Sequence, residues 1–148
     1  MSIYRRNPEL GTILEVMDRI KKPMEKEYNE IRKKHKLGES GVFLELTAIA
    51  VHKDYGKRGI GGHLTNLTVE NAKKAGYWIA FAECSSAFST RALEKFGAKT
   101  EYSIDYKTFE IPGGCCSKPS YPLQHATEPH TKCNLVVFRL KDEVKEEA

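Results

Sequence analysis

The stretch HKDYGKRGIGGHL, residues 52–64, sets Gly59, Gly61 and Gly62 directly after Lys57 and Arg58. It lies between an apolar run and a segment of helical periodicity. Two readings compete for it: a tight turn, or a cradle for phosphate. The start of a helix leaves its first N–H groups without partners, and the helix dipole makes that end attractive to anions. Glycines let the backbone approach a phosphate without Cβ contacts, and the two cations add mobile charge at the mouth. The stretch is not a Walker loop, because no Gly-Lys-Ser/Thr ending follows. Its glycine spacing does not fit Gly-x-Gly-x-x-Gly either. Spacing alone leaves both readings open.

Working outward, residues 42–51 (VFLELTAIAV) are nearly continuously apolar and rich in β-branched residues, which predicts a strand buried on both faces. Residues 61–75 read as a helix stopped by Gly76, and residues 77–82 (YWIAFA) as a second buried strand. Strand, helix and strand in that order predict a parallel pair with a right-handed crossover, hence an α/β (α+β) fold. Upstream, Ile13, Met17, Ile20, Met24, Tyr28 and Ile31 recur at helical steps over residues 13–35. Pro23 interrupts that pattern and predicts a kink or a fresh helix start there. Downstream the pattern gives a short helix over 88–96 stopped by Gly97, a strand over 100–110, a proline-rich loop over 111–131, and a last strand over 134–140. The tail from Lys141 is highly charged and predicts fraying.

Length and composition bound what such a chain does. Its 148 residues suit one domain spanning 1–148. A net charge of +4 is too small for a nucleic-acid coat. No apolar run approaches the ~18–20 residues that cross a bilayer, so no membrane partner is expected. The opening MSIYRRNPEL lacks the apolar segment of a secretory signal, which points to a cytoplasmic protein. Cys84, Cys115, Cys116 and Cys133 are too few and too uneven for a disulfide framework, and free thiols are expected.

The glycine stretch resembles the Arg/Gln-x-x-Gly-x-Gly/Ala loop of the GNAT acyltransferase superfamily, with Gly59-Ile60-Gly61 as its glycine half and Leu64 at the usual apolar position. The position of the family's Arg or Gln falls on Gly56. The preceding TAIAVHKDY is similar to the strand beside which that family binds pantetheine. Residues 82–106 sharpen the likeness: Cys84-Ser85-Ser86, then Ser89, then Glu94-Lys95-Phe96-Gly97 resemble the invertebrate-type arylalkylamine N-acetyltransferases, as does PHTKC at 129–133. The resemblance covers about residues 42–140. It implies a GNAT-like mixed central sheet flanked by helices, with acetyl-CoA as co-substrate and a small primary amine as acceptor. Ile49, Ala50, Val51, Lys57, Arg58, Gly59, Ile60, Gly61, Gly62 and Ser86 then bind the cofactor. Ser85 and Ser89 fall on positions to which the arylalkylamine family assigns proton transfer. The tyrosine that many superfamily members use as acid falls on Leu93.

Only about 55 residues precede the loop, mostly helical, whereas the family places several strands and helices there of ~5–12 residues each. The usual first strands and helices are therefore expected to be missing, and with them the family's glutamate base. That leaves a second reading, a CoA-binding protein with little activity and a regulatory or partner-binding role. A third is a phosphate-binding module unrelated to acyl transfer. An incomplete sheet would also leave an open edge, which makes a homodimer a candidate assembly.

The other constellations have plainer readings. Ser85 and Ser89 equally suit the N-cap of the following helix. Cys115, Cys116, His125, His130 and Cys133 share one loop region, but adjacent cysteines make poor paired zinc ligands, and no metal is expected. That loop is expected over the acceptor pocket, with Cys133 packed as a small hydrophobe. Tyr77 and Trp78 read as core, Cys84 as a buried strand-end thiol, and Glu45 as an outward-facing strand residue.

Overall fold

Residues 79–84, IAFAEC, put an apolar side chain on both faces of a strand, so the sheet around them is covered on two sides. The computed structural model describes residues 8–38, 41–113 and 117–141. Its elements are α1 (Pro8–His35), β1 (Phe43–Glu45), a short 3-10 turn (Lys53–Tyr55), α2 (Ile60–Lys74), β2 (Ile79–Cys84), α3 (Ala87–Glu94), β3 (Lys99–Asp105) and β4 (Lys132–Arg139). The sheet runs β1-β2-β4-β3. β1 and β2 are parallel and joined through α2, as the α/β pattern predicts; β4 is antiparallel to both β2 and β3.

Alternation along β2 and β4 divides the core in two. Ile79, Phe81, Cys133, Leu135 and Val137 face α1 and meet Val16, Ile20, Met24 and Ile31. Ala80, Ala82, Cys84, Val136 and Phe138 face α2 and α3 and meet Val69 and Leu93. α2 and α3 end at Gly76 and Gly97, both at positive φ. α1 runs through Pro23 as one helix rather than restarting there. A proline inside a helix costs about 3 kcal/mol. Burial of Ile20 and Met24, 2% and 1% exposed, on either side of it offsets that cost. Arg139 fastens α1 to the far side of the sheet: it pairs with Glu27, and its Nε donates to Glu101 Oε1 at 2.9 Å.

The strand boundaries differ from the sequence reading, and β4 runs Lys132–Arg139 rather than 134–140. The strand expected over 42–51 pairs only as Phe43–Glu45, because β2 diverges from the chain after that point. The strand expected to begin at Tyr77 starts at Ile79. The strand expected to reach Glu110 stops at Asp105, whose carboxylate accepts the Lys107 N–H at 2.9 Å and turns the chain. The described part of the proline-rich loop packs Ile111, Leu123 and Ala126 against the α1-side core. None of its described residues lines the gap between β1 and β2. The charged tail, 142–148, and the cysteine pair at 115 and 116 lie outside the described residues.

Two measurements test this core. Leu135→Ala, at a position 0% exposed, is expected to cost about 2–5 kcal/mol in urea unfolding. Burial pushes the Cys133 thiol up to about 12, with the charges of Glu83 and Cys84 adding to it. Unfolding exposes that thiol and returns it to an ordinary thiol pKa, so from that ordinary value up to about 12 the unfolded state holds fewer protons. Stability is therefore expected to be intact below that window and to fall as pH rises through it. Cys133→Ser should flatten that fall, as read by unfolding at stepped pH.

Candidate active site

After β1 the chain stays extended but leaves the sheet. Leu46 N–H donates to Phe81 O at 2.8 Å, and among the described residues no backbone hydrogen bond joins 47–51 to anything further on. Buried backbone is normally paired, so a bare extended edge facing a gap offers donors and acceptors to an incoming chain-like ligand. The gap opened by this divergence is a cavity of about 660 Å³. That is in the range that takes up a sizeable small molecule. It passes through the sheet: Gly61 and Thr65 of α2 and Leu93 of α3 line one side, and Met17 of α1 lines the other.

α2 begins at the mouth of this gap. Gly59 is its N-cap with φ 76°, and no side chain caps the helix. Gly59 stands in the left-handed region, where a β-carbon is strained. The first hydrogen bond of α2 runs from His63 N–H to Gly59 O at 2.9 Å. The N–H groups of Ile60, Gly61 and Gly62 thus start a helix with no acidic residue in its first turn, which is an electrostatic seat for an anion. Lys57 and Arg58 are exposed just ahead of it, with the Arg58 guanidinium 5.5 Å from the Tyr55 ring. Gly56 occupies the position where the resemblance leads one to look for Arg or Gln. A β-carbon there would come 3.1 Å from Lys53 O, so the tight 53–56 turn disfavours any side chain.

The glycines of the first turn have separate jobs. A β-carbon on Gly62 would fall 2.4 Å from the tip of the Phe96 ring, just past α3, so a side chain here would have to displace that ring. A β-carbon on Gly61 would make only ordinary contacts with Val51 (3.7 Å) and Ile49 (4.0 Å), and would do so by narrowing the gap.

Of the residues the sequence singles out, Ile49, Val51, Gly59, Gly61, Gly62, Ser85 and Ser89 line the cavity together. Ala50, Lys57, Arg58, Ile60 and Ser86 stand beside it without lining it. The N-cap of α3 is Ser86, whose Oγ accepts the Ser89 N–H at 3.2 Å. Ser89 Oγ donates back to Ser86 O at 2.9 Å. The capping role therefore falls on the serine between the two proposed as catalytic. Ser85 is held by its carbonyl, which accepts from Tyr106 OH at 2.7 Å. Burial raises the Tyr106 phenol well above its ordinary value, and its nearness to Cys133 adds to that, so it stays a hydrogen donor. Burial also raises Cys84, at the cavity wall, which disfavours the thiolate that a nucleophilic role requires.

Sequence reasoning missed Glu83. Its side chain is 8% exposed, it lines the cavity, and it lies 3.0 Å from the Lys21 ammonium. Its signal was a single carboxylate inside an otherwise apolar strand. Among the described residues no three His, Cys, Asp or Glu side chains converge as a metal site.

No family model matches the chain. Solved structures do. Arylalkylamine N-acetyltransferase 2 from Aedes aegypti superposes with a TM-score of 0.59 at 18% identity, over 80% of this chain and 52% of that one. The polyamine N-acetyltransferase of Drosophila melanogaster gives 0.60 at 16% identity, over 88% and 56%. The C-terminal condensation domain of Ebony, solved with beta-alanyl-dopamine, gives 0.67 at 12% identity, over 88% and 57%. The chain thus spans about half the length of the structures it matches. An open helix end beside a splayed strand pair, in the order β1-β2-β4-β3, gives this chain the fold of the GNAT acetyltransferases over about half of their length.

Proposed function

We propose that the chain binds acetyl-CoA in the gap between β1 and β2 and transfers its acetyl group to a small primary amine, such as an arylalkylamine. The observation that carries this reading is the coincidence of two features at one place. The uncapped start of α2 suits a diphosphate, and the unpaired segment 47–51 beside it suits a pantetheine arm lying along the strand. When bound, acetyl-CoA supplies the activated acetyl thioester. The backbone N–H groups around Ile49, Ala50 and Val51 polarise its carbonyl. Lys57 and Arg58 hold charge at the mouth, and Ser86 fixes α3, which carries Ser89 into the cavity. Ser85 and Ser89 order a water chain to the leaving sulfur, since a free hydroxyl is too weak an acid to act alone.

A second reading has its own observation. In that reading the chain binds CoA with little activity, since Leu93 stands where the resemblance leads one to look for a tyrosine acid. The two part company in a thiol-release assay with tryptamine, dopamine, octopamine and spermidine. Release of CoA with any of them supports transfer; acetyl-CoA binding without release supports the second reading. No heat on titration with acetyl-CoA removes both.

Gly61 separates ligand binding from folding. Gly61→Leu fills the gap next to Val51, while Leu is the better helix former by about 1 kcal/mol. Its melting temperature is expected to hold, while acetyl-CoA affinity drops by roughly tenfold or more. Unchanged affinity would reduce the glycine stretch to a turn.

A further inference from the structure

Lys21 reaches from α1 to the sheet and places its ammonium 3.0 Å from Glu83 Oε1 and 3.7 Å from Glu45 Oε2. Among the described residues that ammonium is the only partner of the Glu83 carboxylate. Glu83 lines the gap of about 660 Å³. Lys21 and Glu45 line a second cavity of about 450 Å³, walled by Met24, Tyr28, Phe43 and Phe81. The Lys21 ammonium therefore stands between the two cavities, on the α1 face of the sheet. The glycine-led start of α2 is on the opposite face. A ligand whose phosphates lie at α2 fills the gap from that side, and an acceptor must arrive from the side of Glu83.

What Glu83 holds there is a primary ammonium on a four-carbon stem, the same chemical group that an acceptor amine carries. Its charge is costly to leave unpaired in so buried a place, which explains why the free chain supplies one from α1. The geometry points to Glu83 as the carboxylate that receives the acceptor's ammonium, with Lys21 occupying that position in the free chain and leaving it when a primary amine enters. Its role as proton acceptor rests on the acetyl-transfer reading; its role as ammonium subsite does not. In transfer, Glu83 takes one ammonium proton and later yields it to solvent. The freed nitrogen forms its bond to the acetyl carbon as the carbon–sulfur bond breaks, and the second nitrogen proton passes to the leaving thiolate. Burial, which outweighs the lowering by Lys21, raises the Glu83 carboxyl above its ordinary value, the direction a base for an amine needs.

The test is calorimetric titration of the unliganded full chain with tryptamine and with spermidine, for wild type, Lys21→Met and Glu83→Gln, followed by titration of each with acetyl-CoA. Removing the internal occupant is expected to tighten amine binding in Lys21→Met, and removing the carboxylate to weaken it in Glu83→Gln, each by roughly tenfold. Acetyl-CoA affinity is expected to stay within about twofold in Lys21→Met, whose side chain lines the second cavity and not the gap. Should Lys21→Met not fold, Lys21→Gln gives the same ranking. Equal amine affinity in all three proteins overturns the proposal. So does a loss in Lys21→Met as large as that in Glu83→Gln, which would make the pair a structural tie. If the amine ranking holds while wild type gives no heat with acetyl-CoA, the Glu83 subsite stands and the acetyl-transfer reading falls.

Discussion

Leu46 N–H to Phe81 O, 2.8 Å, is the last rung between β1 and β2. Everything functional about this chain follows from the parting of two parallel strands just beyond it. Had the ladder continued to Val51, the apolar run over 42–51 would have been a core strand and nothing more. Because β2 keeps its full pairing to β4 as far as Cys84, the cost of divergence falls on one side only, on the backbone of 47–51. An extended backbone without partners is unfavourable unless water or a ligand satisfies it. The fold thus keeps a binding edge open beside β2, where the sheet ends at β1.

Two packed faces hold that gap apart. On one, Gly62 of α2 meets the Phe96 ring just past α3, and a side chain at Gly62 would have to displace that ring. On the other, α1 lays Val16, Ile20, Met24 and Ile31 across β2 and β4 and reaches the far end of the sheet through Glu27 and Arg139. The gap connects these faces, so its chemistry is asymmetric: an electropositive helix start on one side, carboxylates around Lys21 on the other. The proposed transfer from an anionic carrier to a cationic amine matches that asymmetry.

Much of this was legible in the chain. The helix stops at Gly76 and Gly97, the parallel pair bridged by α2, and the glycine-led start of α2 all follow from local chemistry that tertiary context did not override. Seven of the singled-out residues, from Ile49 to Ser89, do line one cavity. The end of β1 was not legible, since an apolar run looks the same whether its neighbour stays or leaves. Nor was the division of labour among the serines: Ser85, Ser86 and Ser89 are all good caps, and only the backbone path into α3 selects Ser86. Glu83 was missed because an acidic residue in a buried strand has no meaning until its partner is known, and Lys21 is 62 positions away in the chain.

The sequence by itself determined the periodicities, the glycines and hence an α/β fold with an anion-attracting helix start, because these are matters of residue spacing and backbone freedom. Only the tertiary structure decided that the strands part after Leu46, that Gly62 answers to Phe96 while Gly61 answers to the gap, and that Lys21 meets Glu83. Those facts arise from which surfaces are left over once both faces of β2 and β4 are covered, and no local pattern records that remainder.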